Sequence, residues 1–182
     1  MELTTKEKNT LLEIAKEAIT AKINNKKMPE LKTDSANLKS KSGAFVTLKK
    51  HGYLRGCIGY IKAYKPLVET VQEMAIAAAF HDPRFPSLKL EEVKDLTFEI
   101  SVLSPLKRIK DINEIEVGKH GLYIVRGNNA GLLLPQVAVE YKWDRETFLQ
   151  ETCHKAGLPA QVWTDKETEI YIFSADYFGD TD

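Results

Sequence analysis

Cysteine is scarce in this chain: Cys57 and Cys153 are the two in 182 residues, and neither sits in a C-x-x-C pair or another compact metal-ligand spacing. That scarcity argues for a reducing compartment over a disulfide framework and gives a structural metal site no support. A glycine-rich phosphate loop and a dinucleotide fingerprint are also missing, which disfavours ATP or NAD binding by those standard modes, and no cofactor is assigned. Long apolar runs are absent. The longest, Met74 to Phe80, falls far below the ~20 residues that cross a bilayer, and the start Met1-Glu2-Leu3-Thr4-Thr5-Lys6 has no signal-peptide pattern. The expectation is a cytoplasmic protein with no membrane association.

What is present suits a folded domain. With 43% hydrophobic and 29% charged residues the chain can bury a sizeable core beneath a charged surface. Its length fits one domain, or one with a small appended lobe, at roughly 100 to 200 residues per domain. Net charge is zero but uneven. Eight lysines lie between Lys22 and Lys50 against Glu30 and Asp34, whereas the end from Asp165 carries mainly acids. A basic stretch can attract phosphates, yet this one has no arginine and little aromatic interleaving for stacking bases. A solvated loop is the favoured reading, with nucleic acid a weaker alternative.

Thr4 and Glu7 have the spacing of a capping box, and Leu11, Ala15, Ala18, Ile19 and Ile23 follow at helical intervals, which predicts an amphipathic helix. Asn24 to Ser42 reads as a long loop. Gly43–Leu48 and Tyr53–Ile61 are β-rich and form a hairpin across Lys49-Lys50-His51-Gly52. Pro66 then opens a helix with an apolar stripe, Leu67, Val71, Met74, Ala75 and Ala78, reaching about Phe80. Pro83 and Pro86 stop it and favour an extended, stiff connector from His81. Phe98, Ile100 and Val102 alternate with polar residues in a strand over Thr97–Leu103, and further strands are expected at 121–126, 131–134 and 169–173. Asp144 caps a last helix that Gly157 ends. Without βαβα alternation or a fixed-period repeat, this order predicts an α+β fold with a mixed, mainly antiparallel sheet packed by helices.

The chemistry concentrates at Leu54-Arg55-Gly56-Cys57-Ile58-Gly59. In a regular strand Arg55 and Cys57 share a face, and a fixed cation favours thiolate over thiol. Gly56 and Gly59 admit close approach, either by a ligand or by another chain segment packed tightly against them. Arg84, held between prolines, could clamp a carboxylate or phosphate, or tie the connector to Asp82 or another acid. His81 and His120 are candidate general bases for a thiol nucleophile; His51 shares strand parity with Cys57 if the hairpin is regular. Gln136, following Pro135 in an apolar run read as an edge or terminating strand, offers both donor and acceptor to a ligand. Cys153 falls on one helical face with Leu149 and Ala156 and reads as core.

The Leu54–Gly59 run, together with Asp82-Pro83-Arg84-Phe85-Pro86, Glu99-Ile100-Ser101-Val102-Leu103, Gly118-Lys119-His120-Gly121-Leu122, Gly131 to Val137 and Ala156-Gly157-Leu158-Pro159, resembles the AMMECR domain family, whose blocks stand in this order. The resemblance spans about Gly43 to Phe178. It implies a single domain over residues 1–182 with two unequal subdomains and the signature at a cleft between them. It also implies a multi-protein setting, since prokaryotic members look associated with radical-enzyme and dioxygenase-like partners. Two functional expectations follow. One is a thiol-dependent, enzyme-like site in which Cys57, Arg55 and Arg84 receive a small anionic or polar ligand. The other is a non-catalytic binding or scaffold module for a protein, metabolite or nucleic acid.

Overall fold

The computed structural model describes residues 3–180. In chain order the elements are α1 (Thr5–Ile23), α2 (Ala36–Lys39), β1 (Ala44–Lys50), β2 (Tyr53–Tyr60), α3 (Leu67–Phe80), β3 (Leu96–Leu103) and β4 (Lys107–Ile109). There follow β5 (Gly121–Arg126), β6 (Asn129–Leu133), α4 (Pro135–Glu140), α5 (Arg145–Lys155), β7 (Glu169–Phe173) and β8 (Ala175–Gly179). The chain divides into two compact units. The first runs to Leu103 and takes the chain back from Asp176, and the second is Ser104–Ala175. Each contains a four-stranded sheet, so the expected α+β class holds with two sheets in place of one.

In the first unit the strand order is β2-β1-β3-β8, with β1 antiparallel to both β2 and β3. Alternation on β1 and β3 sends Ala44, Val46 and Leu48, with Phe98, Ile100 and Val102, to one face, where α1 and α3 cover them. Complete burial of the larger side chains among these, Val, Leu, Ile and Phe, stabilises by about 1.5–3 kcal/mol each before entropic costs. Helix α1 begins with the anticipated capping box: Thr4 Oγ1 accepts from the Glu7 N–H, and Glu7 accepts from the Thr4 N–H at 2.8 Å. The hairpin is tighter than expected. Lys49 and Lys50 belong to β1, and the turn is His51-Gly52 alone, both at positive φ (52° and 82°), the backbone that matches strand twist in a two-residue loop.

The second unit has strand order β4-β7-β5-β6 and buries Ile109, Leu122, Ile124, Ile170 and Ile172 against Phe148, Leu149 and Cys153 of α5. Cys153 is fully buried, as its helical face requires. Four local expectations are corrected. The Asn24–Ser42 loop includes one helical turn, α2, capped by Ser35. Pro135 does not end a strand but opens α4, where a residue without an N–H loses nothing at the first helical position. The connector after α3 turns instead of running extended, for Phe85 N–H bonds Asp82 O and the Asp82 side chain accepts from Arg84 N–H, an Asx-type turn. The strands β4 and β8 were not anticipated, being three and five residues long.

Helix caps offer the simplest check on this architecture. Thr4→Ala in the first unit and Asp144→Ala in the second, where Asp144 Oδ1 accepts from Thr147 N–H at 2.8 Å, should each cost about 1 kcal/mol in urea unfolding. A change below a few tenths would contradict the assigned helix starts.

Candidate functional site

Strand β2 is an edge of its sheet, and Cys57 lies where that edge would be open. Cys57 pairs with Thr47 of β1, and the Thr47 hydroxyl donates to the Cys57 Sγ at 3.2 Å. Both backbone polar groups of Cys57 point outward from the sheet, as in a non-hydrogen-bonded antiparallel pair. Asp82 and Arg84 satisfy them. The Cys57 N–H donates to Asp82 Oδ2 at 2.8 Å, and Arg84 Nη2 donates to the Cys57 carbonyl at 3.2 Å.

Asp82 is the hub. Its side chain is 1% exposed, and its two oxygens accept from Arg84 Nη2 (2.7 Å), Arg84 Nε (3.0 Å), the Arg84 N–H (3.1 Å) and the Cys57 N–H. The Arg84 guanidinium, aided by those amides, holds the Asp82 carboxyl far below the usual carboxylate range against the opposing effect of burial. Arg84 itself is 52% exposed on its side chain and, among the described residues, its Nη1 has no hydrogen-bond partner.

Arg55 is placed differently from the expectation. Leu48 pairs with Gly56 while Lys49 pairs with Leu54, so Arg55 is the extra residue of a β-bulge, and the alternation that would align it with Cys57 is interrupted. Its guanidinium is buried and taken by Glu92, with Nε to Oε1 at 3.0 Å and Nη2 to Oε2 at 2.9 Å, plus Nη2 to the Pro86 carbonyl at 3.0 Å. Lys50 Nζ also bonds Glu92 Oε1 at 3.1 Å. Phe85 brings the two arginines together, its ring centroid lying 5.9 Å from the Arg55 guanidinium carbon and 5.6 Å from that of Arg84.

The glycines fit chain against chain. A Cβ on Gly56 would stand 2.1 Å from the Ala78 carbonyl oxygen of α3, and one on Gly59 would stand 2.3 Å from the Phe45 ring. These contacts put Gly56 on the face packed by α3 and, by alternation, Cys57 on the opposite face. His81 ends α3 and lines a groove with Ile58 and Tyr60 on the α3 side. His120 belongs to the second unit, where its Nδ1 accepts from the Glu116 N–H at 3.1 Å. Gln136 is half-buried on α4 of the same unit. His51 occupies the hairpin turn, its Nε2 4.0 Å from Asp95 Oδ2. Among the described residues no histidine is hydrogen-bonded to Cys57, and no group of three His, Cys, Asp or Glu side chains is arranged to hold a metal. No described helix is long and apolar enough to cross a membrane.

Comparison with known proteins matches residues 12–178 to the family model AMMECR1. The chain belongs to the AMMECR1 family. A Methanopyrus kandleri relative is 44% identical over 97% of this chain and 89% of its own, and a Methanothermobacter thermautotrophicus relative is 45% identical over 94% and 93%. The crystal structure of an uncharacterized Pyrococcus horikoshii protein superposes with a TM-score of 0.87 at 43% identity, covering 93% of this chain and 89% of that one. The resemblance carried by the Leu54–Gly59 and Asp82–Pro86 blocks is thereby established, and in this AMMECR1 chain those two blocks meet at one strand edge.

Sequence reasoning missed Glu92 and Thr47. Glu92 had a faint signal, since its Oε2 accepts from Lys89 N–H three residues earlier, but nothing local pointed it at Arg55. Its removal is a sharp test. The Arg55 guanidinium holds the Glu92 carboxyl down at about 2 from an ordinary 4.5, so between those values the unfolded chain binds more protons and stability rises with pH. Glu92→Gln leaves a buried guanidinium without a counter-charge and should cost about 3–5 kcal/mol at pH 7. That difference should shrink as pH falls from about 4.5 toward about 2 in a urea-unfolding series, whereas a difference independent of pH would contradict the pairing.

Proposed function

We propose that the Cys57 edge is a binding site for a small anionic or polar ligand and that the domain acts as a binding module. The observation that carries this reading is the state of Arg84. Its guanidinium is fixed in orientation by Asp82 through Nε and Nη2, and its remaining nitrogen is left to solvent beside a half-buried thiol. A cation held in place before a ligand arrives loses little entropy on binding an anion, and the two N–H groups of the remaining Nη1 can donate to a carboxylate or phosphate oxygen.

A thiol-dependent enzyme-like site is the second reading, and one observation favours it. Arg84 Nη2 donates to the Cys57 carbonyl at 3.2 Å, so a fixed cation stands on the residue that carries the thiol. Against it stands the lack of a base. The Asp82 carboxylate is occupied by four donors, and the His120 Nδ1 lone pair is taken by an amide, which leaves no acceptor bonded to the thiol among the described residues.

Site-resolved alkylation with iodoacetamide separates the two, with buried Cys153 as an internal reference. Under the binding reading, phosphate slows Cys57 alkylation several-fold in the parent chain. Arg84→Lys, which leaves Asp82 a counter-charge but removes the outward Nη1, abolishes that protection. Under the enzyme-like reading, Cys57 reacts at pH 7 about tenfold or more faster than a model thiol. If neither phosphate nor a small carboxylate protects Cys57, the binding reading fails.

A further inference from the structure

Cavities on this molecule differ in charge balance. One on the first unit sets Lys6 and Lys32 against Glu7 and Asp34, and another sets Lys22 and Lys65 against Glu69 and Glu73. In the latter, Glu73 is already bound by Tyr60 Oη at 2.7 Å and Lys65 Nζ at 2.5 Å. A cavity of about 650 Å³ on the second unit is unbalanced: Arg108, Lys110 and Lys166 line it against Asp165 alone. That one acid is neutralised from elsewhere, for Arg126 Nη2 donates to Asp165 Oδ2 at 2.7 Å. Arg108 is steadied by Glu169, 3.3 Å away on β7, and among the described residues Lys110 and Lys166 have no ion-pair partner.

The floor has opposite character. Ile109 of β4 and Ile170 of β7 are partners across the sheet edge, and with Ile112 and the half-buried Trp163 they give the cavity an apolar base. An apolar floor with a flat indole binds a ring or branched chain by burial and stacking. A rim with two unpaired lysines, Lys110 and Lys166, beside the Glu169-paired Arg108 adds attraction for one anionic head, stronger beside a low-dielectric wall than in open solvent.

We propose that this cavity on the second unit binds a small amphipathic anion, an aromatic or branched aliphatic body carrying one phosphate or carboxylate group. The site shares no residue with the Cys57 edge and stands independently of the function proposed there. The floor selects the body and the rim selects the charge, so neither a bare anion nor a neutral ring meets both demands.

The experiment is a ¹⁵N NMR titration of the full chain with phenyl phosphate, phenylacetate, benzyl alcohol and inorganic phosphate. Phenyl phosphate or phenylacetate should shift the Trp163 indole and the Lys110 and Lys166 amides saturably, leaving the Trp143 indole still; the tighter of the two names the head group. Benzyl alcohol and inorganic phosphate should each bind about tenfold or more weakly. The exposed double variant Lys110→Glu with Lys166→Glu should lose about tenfold or more in affinity for phenyl phosphate, whereas Arg84→Lys should change nothing there. The proposal is overturned if neither amphipathic anion gives saturable shifts up to about 10 mM, if benzyl alcohol or inorganic phosphate binds equally well, or if the double variant binds undiminished.

Discussion

A buried carboxylate organises the most distinctive part of this structure. Asp82 is nearly sealed from solvent and would be costly there as a lone charge, but four donors from Arg84 and Cys57 compensate it. The same bonds fold the connector back after α3 and fasten it to the outer edge of β2. An edge strand offers unpaired N–H and C=O groups to any other strand, and here the Asp82–Arg84 pair occupies those of Cys57. The thiol is thus presented from a backbone that is fixed on both sides, by Thr47 across the sheet and by the connector at the edge.

A second ion pair extends this arrangement. The bulge at Arg55 turns its guanidinium toward Glu92 and the Pro86 carbonyl, so the connector is held at both ends, and Phe85 lies near both guanidinium groups. The two arginines therefore divide the work. Arg55 is buried and held through Nε and Nη2 by a carboxylate and a carbonyl, which suits holding structure; Arg84 keeps part of its guanidinium in solvent, which suits meeting a ligand. Gly56 and Gly59 belong with the first task, since α3 and Phe45 fill the space where their side chains would be.

Much of the fold was legible because local rules and tertiary packing agree. Thr4 with Glu7, the alternation of Phe98, Ile100 and Val102, and Asp144 before α5 each state an element through chemistry confined to a few neighbours. The short strands β4 and β8 carry too few residues to show a period, and they exist because a neighbouring strand offers partners. At the site, the motif blocks were visible but the assignment of charges was not. Whether Arg84 binds an external anion or Asp82 was open from spacing alone, and the structure shows that it binds Asp82 through Nε and Nη2 with Nη1 to spare. Arg55 was aligned with Cys57 by a two-residue period, which one bulge residue defeats. Its true partner, Glu92, is thirty-seven positions away, beyond the reach of any local pattern.

Native-state amide hydrogen exchange tests the central claim most directly, because Cys57 and Gly59 lie at the same free edge with their N–H groups turned outward. If the Asp82 carboxylate closes the edge at Cys57, the Cys57 amide exchanges far more slowly than that of Gly59, and Asp82→Asn removes most of the difference. A Cys57 amide that exchanges as fast as Gly59 in the parent chain would contradict the account.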